Sequence, residues 1–91
     1  MKKVFLHGSL GRRFKKEWEF DVDSPSEGVC ALFANEPEIE KYLIEKEKEG
    51  IQYGARKENL KDFLSREDFH FKTKEDIHIF PVPKGSAGFA L

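Results

Sequence analysis

The side chains that could do chemistry in this sequence are three histidines, a cluster of four cations, one cysteine and a tail of small residues. His7 and His78 lie near opposite ends of the chain, in the apolar runs Val4-Phe5-Leu6-His7 and Ile77-His78-Ile79-Phe80-Pro81-Val82. If those runs pair as neighbouring strands, the two imidazoles share one sheet face. Two histidines can begin a zinc site, but a structural zinc takes four protein ligands. No third ligand of the right type stands near them, His70 and Cys30 being placed elsewhere in the chain. The expectation is a surface histidine pair, with no metal and no cofactor.

Arg12-Arg13-Phe14-Lys15-Lys16 puts four cations around one aromatic, the chemistry of a phosphate or an acidic protein surface. Glu17 and Glu19 follow at once and blunt the field. The whole chain carries 16 basic and 17 acidic side chains, net −1, where a dedicated nucleic-acid binder is usually strongly basic. The cluster reads first as a solvated loop tip and second as a contact for an acidic partner, with no nucleic acid. At the other end, Gly85-Ser86-Ala87-Gly88 follows the last apolar run. A sulfur carrier or conjugated modifier reacts through a terminal glycine carboxylate, and the tail has no Gly-Gly. That reading requires processing that exposes Gly85 or Gly88. Small residues in an exposed segment are preferred sites of nicking, so the four residues read as a flexible linker and a candidate processing site.

Nothing else points to catalysis. No Ser-His-Asp or Cys-His-Asp arrangement stands at recognisable spacing, and a ferredoxin-type cluster needs four cysteines where this chain has one. Cys30 follows Val29 on the side of a helix expected to face the core, where a thiol is usually inert. The expectation is a binding protein and not an enzyme.

The elements that must position these groups follow from pattern. Val4–His7 is a short β-rich run stopped by Gly8 and Gly11. Trp18-Glu19-Phe20-Asp21-Val22-Asp23 alternates apolar and acidic residues, the mark of a half-buried strand. The two make an antiparallel hairpin whose tip, Gly8 to Lys16, is long and basic. Ser24-Pro25-Ser26-Glu27 is a capping box with proline at the first helical position. Val29, Leu32 and Phe33, then Ile39, Tyr42 and Leu43, form an apolar stripe at helical spacing; Pro37 interrupts it, by a kink or by a restart. Gly50 ends the helix and Ile51–Ala55 is a third strand. Residues 60–76 show no clean period, although Leu60, Phe63, Leu64, Phe69 and Phe71 need burial; a short strand and a turn of 3₁₀-helix are the expectation. Ile77–Val82 is the last strand.

A helix with one apolar stripe must cover one face of a sheet, and a crossover between strands of one sheet makes a parallel pair. The sum is an α+β fold of β-grasp type, a mixed sheet of four or five strands on one main helix, with the first and last strands adjacent. Val4, Leu6, Ile77 and Ile79 then face the helix. Phe5, His7, His78, Phe80 and Val82 face away, an apolar and aromatic patch where such sheets normally carry polar groups. A patch of that kind suggests a partner.

The segments Val4-x-Leu6-His7-Gly8-x-Leu10-Gly11-Arg12-x-Phe14, Phe20-x-Val22-x-Ser24-Pro25-x-Glu27 and Ile77-His78-Ile79-x-Pro81-Val82 together resemble the lambda-type phage tail assembly protein I family. The resemblance covers almost the whole chain. It implies an N-terminal ubiquitin-like domain at residues 1–83, with residues 84–91 as the start of a Gly/Ala-rich linker to a second domain. It implies a role in tail-tip assembly in the host cytoplasm, with other tail-tip proteins as partners, one of them carrying peptidase domains. Ubiquitin-like domains commonly bind through their sheet face, which agrees with the parity of the strands. A sulfur carrier and a host β-grasp adaptor are the alternative readings. The sequence contains neither a signal peptide nor a long apolar run, so an intracellular domain without membrane contact is expected.

Overall fold

The computed structural model describes residues 1–57 and 64–84. In chain order they form β1 (Lys2–Leu6), α1 (Ser9–Arg13), β2 (Glu17–Phe20), α2 (Pro25–Asn35), α3 (Pro37–Lys48), β3 (Ile51–Lys57), α4 (Arg66–His70) and β4 (Ile77–Pro83). The strands make one mixed sheet in the order β2-β1-β4-β3. β1 pairs antiparallel with β2 and parallel with β4, in the register Val4↔Ile77, Phe5↔His78, Leu6↔Ile79. β3 lies antiparallel on the other side of β4, with Gly54 opposite Phe80 and Arg56 opposite His78.

The helices cover one face. Val4, Leu6, Ile77 and Ile79 are buried there with Tyr53 and Ala55 of β3, against Leu10 of α1, Val29 and Leu32 of α2, Ile39 and Leu43 of α3 and Phe69 of α4. Each aliphatic side chain so buried contributes roughly 1.5–3 kcal/mol relative to exposure. Trp18 and Phe20 pack against the margin of this core, while Glu17 and Glu19 stay exposed, as the alternation of β2 requires.

Ser24 caps α2 as its sequence implies: its hydroxyl oxygen accepts from the Glu27 amide at 3.2 Å, and Pro25 opens the helix. The return contact differs in detail, for Glu27 Oε1 accepts from the Ser24 hydroxyl at 3.0 Å. Pro37 restarts the helix instead of kinking it. Glu36, before the proline, leaves helical geometry at φ −141°, ψ 85°, because the proline ring crowds the residue that precedes it. Two helices therefore stand where one main helix was expected.

Three further expectations are corrected. The hairpin tip is not an open loop but contains the short helix α1. Leu10 and Phe14, four residues apart and so on one helical face, turn toward the protein, with Leu10 fully buried and Phe14 edge-on to Tyr42 at 5.7 Å between centroids. Residues 66–70 are α4, where a strand and a 3₁₀ turn were expected. Ser65 caps it by accepting from the Asp68 amide at 3.1 Å. Of the apolar residues in that stretch, Leu64 and Phe69 are buried but Phe71 is 61% exposed; Leu60 and Phe63 lie outside the described residues. Cys30 is exposed, because the buried side of α2 is the row Pro25, Gly28, Val29 and Leu32, and the next position after Val29 turns out toward solvent.

The turn into α1 depends on two glycines. Gly8 has φ +71°, and a Cβ there would also meet Pro81 Cγ at 3.0 Å. At Gly11 a Cβ would stand 2.2 Å from the carbonyl oxygen of Leu6, a backbone atom that cannot step aside. Gly50 has φ +86° with nothing within 4 Å, so only conformational strain acts there. Gly11→Ala is expected to destabilise the fold by more than about 2 kcal/mol through this clash, and Gly50→Ala by only about 1–2 kcal/mol. Urea unfolding of the two variants checks this; equal, small costs would mean that α1 is not seated on the end of β1.

Candidate functional site

The face of the sheet turned away from the helices is built by the parity of β1 and β4. Because Phe5 is beside His78 in the parallel register and side chains alternate along a strand, Phe5 and His7 of β1 stand next to His78 and Phe80 of β4. The structure brings these four residues together. Phe5 stacks on His78 with centroids 4.8 Å apart and planes 15° from parallel. His7 stacks on Phe80 at 4.0 Å and 3°. Each such pair is worth roughly 0.5–1.5 kcal/mol beyond its buried area.

The two stacks are joined by the histidines. His7 Nε2 and His78 Nδ1 are 2.9 Å apart, and the ring centroids are 5.1 Å apart with planes at 27°. Those distances leave about one ring radius on each side of the nitrogen pair. The nitrogens therefore lie between the ring centres, and the contact is edge to edge: an in-plane N–H···N hydrogen bond, with one imidazole donating and the other accepting. Burial, then the neighbouring His78, then Arg56 lower the His7 pKa below its ordinary value of 6.5.

Arg56, which sequence reasoning did not single out, completes the row. It comes from β3, on the opposite side of β4 from His7, and its guanidinium carbon sits 4.2 Å from the Phe80 centroid. The alternation Gln52, Gly54, Arg56 was the available signal, but only the β3–β4 register tells which face those residues share. The absence of a side chain at Gly54, opposite Phe80, leaves Arg56 the diagonal neighbour that reaches the ring. At the β1–β2 side, Lys3 pairs with Glu17 at 3.5 Å, an exposed pair of little net worth. Val82 continues the same strand away from the ring cluster. It lines a shallow depression of about 280 Å³ with Gly50, Ile51, Pro81 and Pro83.

The other sequence candidates stand apart. Arg12, Arg13, Lys15 and Lys16 are all exposed, but two of them rest on rings of their own neighbourhood. Arg13 lies 5.4 Å from the Tyr42 centroid and Lys15 5.1 Å from that of Trp18. His70 closes α4 and packs edge-on to Phe69, away from the histidine pair. Among the described residues no group of three or more His, Cys, Asp or Glu is placed to hold a metal ion, and no helix is long and apolar enough to cross a membrane. Gly85, Ser86, Ala87 and Gly88 lie outside the described residues.

A second polar cluster, also not foreseen, ties α1 to the rest. Ser9 Oγ lies 2.5 Å from the Tyr42 hydroxyl and 3.4 Å from that of Tyr53. Burial raises the Tyr53 pKa above its usual value of 10.0, so the phenol stays protonated and available as a donor. This cluster is structural: it lies between α1, α3 and β3.

No family model, no curated protein and no solved structure matches this chain. Its functional reading rests on the residues and their geometry.

The lowered His7 pKa has a signed consequence for stability. Above 6.5 neither the folded nor the unfolded His7 holds the extra proton, and its full contribution is present. As pH falls through 6.5 the unfolded chain takes the proton first, so stability declines until the folded value is reached. Urea unfolding at about pH 7.5 and about pH 5.5 is expected to show a larger loss for the wild type than for His7→Gln. Equal losses would mean that His7 is not held neutral by its surroundings.

Proposed function

We propose that this chain is a ubiquitin-like β-grasp domain that acts by docking, with its open sheet face as the contact surface for another protein during assembly of a phage tail tip. The β-grasp reading is supported by the order β2-β1-β4-β3 with a parallel central pair, and by two helices between β2 and β3 that cross a single face. The tail-assembly reading is supported by the three sequence segments that resemble the tail assembly protein I family. Two of them, around His7 and His78, form the two central strands, and the glycines of the first are the ones that shape the turn into α1.

The observation that carries the docking reading is the row Phe5, His78, His7, Phe80 and Arg56. A solvated sheet face ordinarily alternates to polar residues. Here the central strands present two phenylalanines and two imidazoles, arranged as preformed stacks. Aromatic and arginine side chains held in place before binding lose little entropy on association and are the residue types that dominate interface energetics. The partner is another tail-tip protein, and the peptidase-bearing tail protein implied by the resemblance is the first to test.

Co-expression with tagged phage tail-tip proteins, the peptidase-bearing tail protein first, provides the test. Phe80→Ser is expected to lower capture by at least about tenfold, as loss of an aromatic anchor does. Its cost in stability is expected to be only about 1–2 kcal/mol, because the ring is half-buried and outside the core. Capture at the wild-type level would overturn the reading. The basic segment is tested separately: Arg12→Glu with Arg13→Glu is expected to weaken capture at low salt, with the difference shrinking toward about 1 M salt as screening shortens to about 3 Å. No salt dependence would leave the segment as solvated surface.

A further inference from the structure

Resting on that docking reading, we infer that the partner sets a glutamate or aspartate carboxylate, beside an apolar side chain, against the His7–His78 pair, and that the pair takes up one proton as the carboxylate arrives. In the neutral pair one hydrogen lies between His7 Nε2 and His78 Nδ1. Whichever ring donates it, the two outer nitrogens, His7 Nδ1 and His78 Nε2, then comprise one N–H and one bare lone pair. Adding one proton converts the bare nitrogen to an N–H and keeps the shared bond. The pair becomes a monocation with two outward donors. A second proton would set N–H against N–H across 2.9 Å and break the pair, so the unit titrates once while it is intact.

The surroundings select the anion. Among the described residues neither outer nitrogen has a hydrogen-bond partner. On β3 the Arg56 guanidinium lies over Phe80 and adds positive potential at His7. On β1 and β2, Lys3 is paired with Glu17, and Glu19 is the cross-strand neighbour of Lys3. Before β4, Asp76 Oδ1 accepts from the Lys3 amide at 3.0 Å. The carboxylates of Glu17, Glu19 and Asp76 repel an extended polyanion, while the protonated pair and the Arg56 guanidinium make a compact positive centre beside the Phe5 and Phe80 rings. A lone carboxylate with an adjoining apolar group fits that pattern; a phosphate backbone does not. In the free protein partial burial of His7, then the neighbouring His78 and Arg56, favour the neutral ring. An anion placed there reverses that balance, and by linkage binding and protonation strengthen each other.

The probes are acetyl-Phe-Glu-Phe-amide and acetyl-Phe-Gln-Phe-amide, titrated into isotope-labelled protein at about pH 6 and about pH 8, either side of the ordinary histidine range. Glutamate stays ionised at both. The glutamate peptide is expected to bind the Phe5, His7, His78 and Phe80 face at least about fivefold more tightly at the lower pH, the lower bound of ordinary coupling between sites. The glutamine peptide is expected to show no such change. In the double variant His7→Gln with His78→Phe, which removes both ionisable rings, the pH dependence should vanish while the glutamine peptide still binds. Equal affinity for the two peptides at the lower pH, or a glutamate peptide indifferent to pH, overturns the inference and leaves the docking reading intact. Failure of both peptides to move these resonances also overturns it, and the docking reading then stands or falls on the Phe80→Ser capture experiment.

Discussion

The parallel pairing of β1 with β4 is the constraint on which the rest of the molecule depends. It joins residues 73 positions apart, so the loop-closure entropy is met only when the whole intervening chain has folded. The register Val4↔Ile77 and Leu6↔Ile79 supplies the compensation, because it brings four fully or nearly fully buried aliphatic side chains together at the centre of the core. The same register sets Phe5 beside His78 and His7 beside Phe80. A slip of one residue would send both sets to the wrong face. Core and candidate interface are thus two consequences of one pairing, and neither can shift without the other.

The two faces are held to different standards of polarity. On the helical side a buried charge is satisfied: Lys2 is almost fully buried, and its ammonium donates to the carbonyls of Thr73 and Glu75. That contact ties the segment before β4 to the start of β1, where the Lys3 amide also donates to Asp76. Ser9, Tyr42 and Tyr53 do the same for α1 on the other end of the sheet. Polar contacts on this side therefore locate elements around the core. On the open side the two imidazoles are embedded among rings, and their mutual hydrogen bond aligns two aromatic stacks. An arrangement that is ordered before anything binds is suited to recognition, since the ordering cost has already been met by the fold.

Much of this was legible in the sequence. The hairpin strands, the Ser24 cap and the stop at Gly50 follow from alternation, capping chemistry and glycine placement, which are local signals; the adjacency of the terminal strands follows only from how a helix-covered sheet must be connected. What was misread has a common cause. The segment after His7 reads as a polar loop because its cations outnumber its apolar residues; it is helical because Leu10 and Phe14 find burial against distant α3 and the core. The stretch before β4 shows no period because α4 is only five residues long and its buried residues, Leu64 and Phe69, are placed by contacts with β3 and α2. Cys30 was misplaced by a single position on α2, an angular error that sequence spacing alone does not resolve.

The sequence by itself determined which residues are apolar, where the Ser24-capped helix starts and where the helical stretch stops at Gly50, and that Phe5, His7, His78 and Phe80 share a parity opposite to that of the core. Those properties are set within a few residues along the chain, by side-chain volume, capping groups and the two-residue period of a strand. Only the tertiary structure decided that the two histidines hydrogen-bond edge to edge, that Arg56 reaches Phe80, and that α1 closes over the end of β1. These depend on the relative register of strands far apart in sequence and on the side chains available to meet there, and no local pattern encodes either.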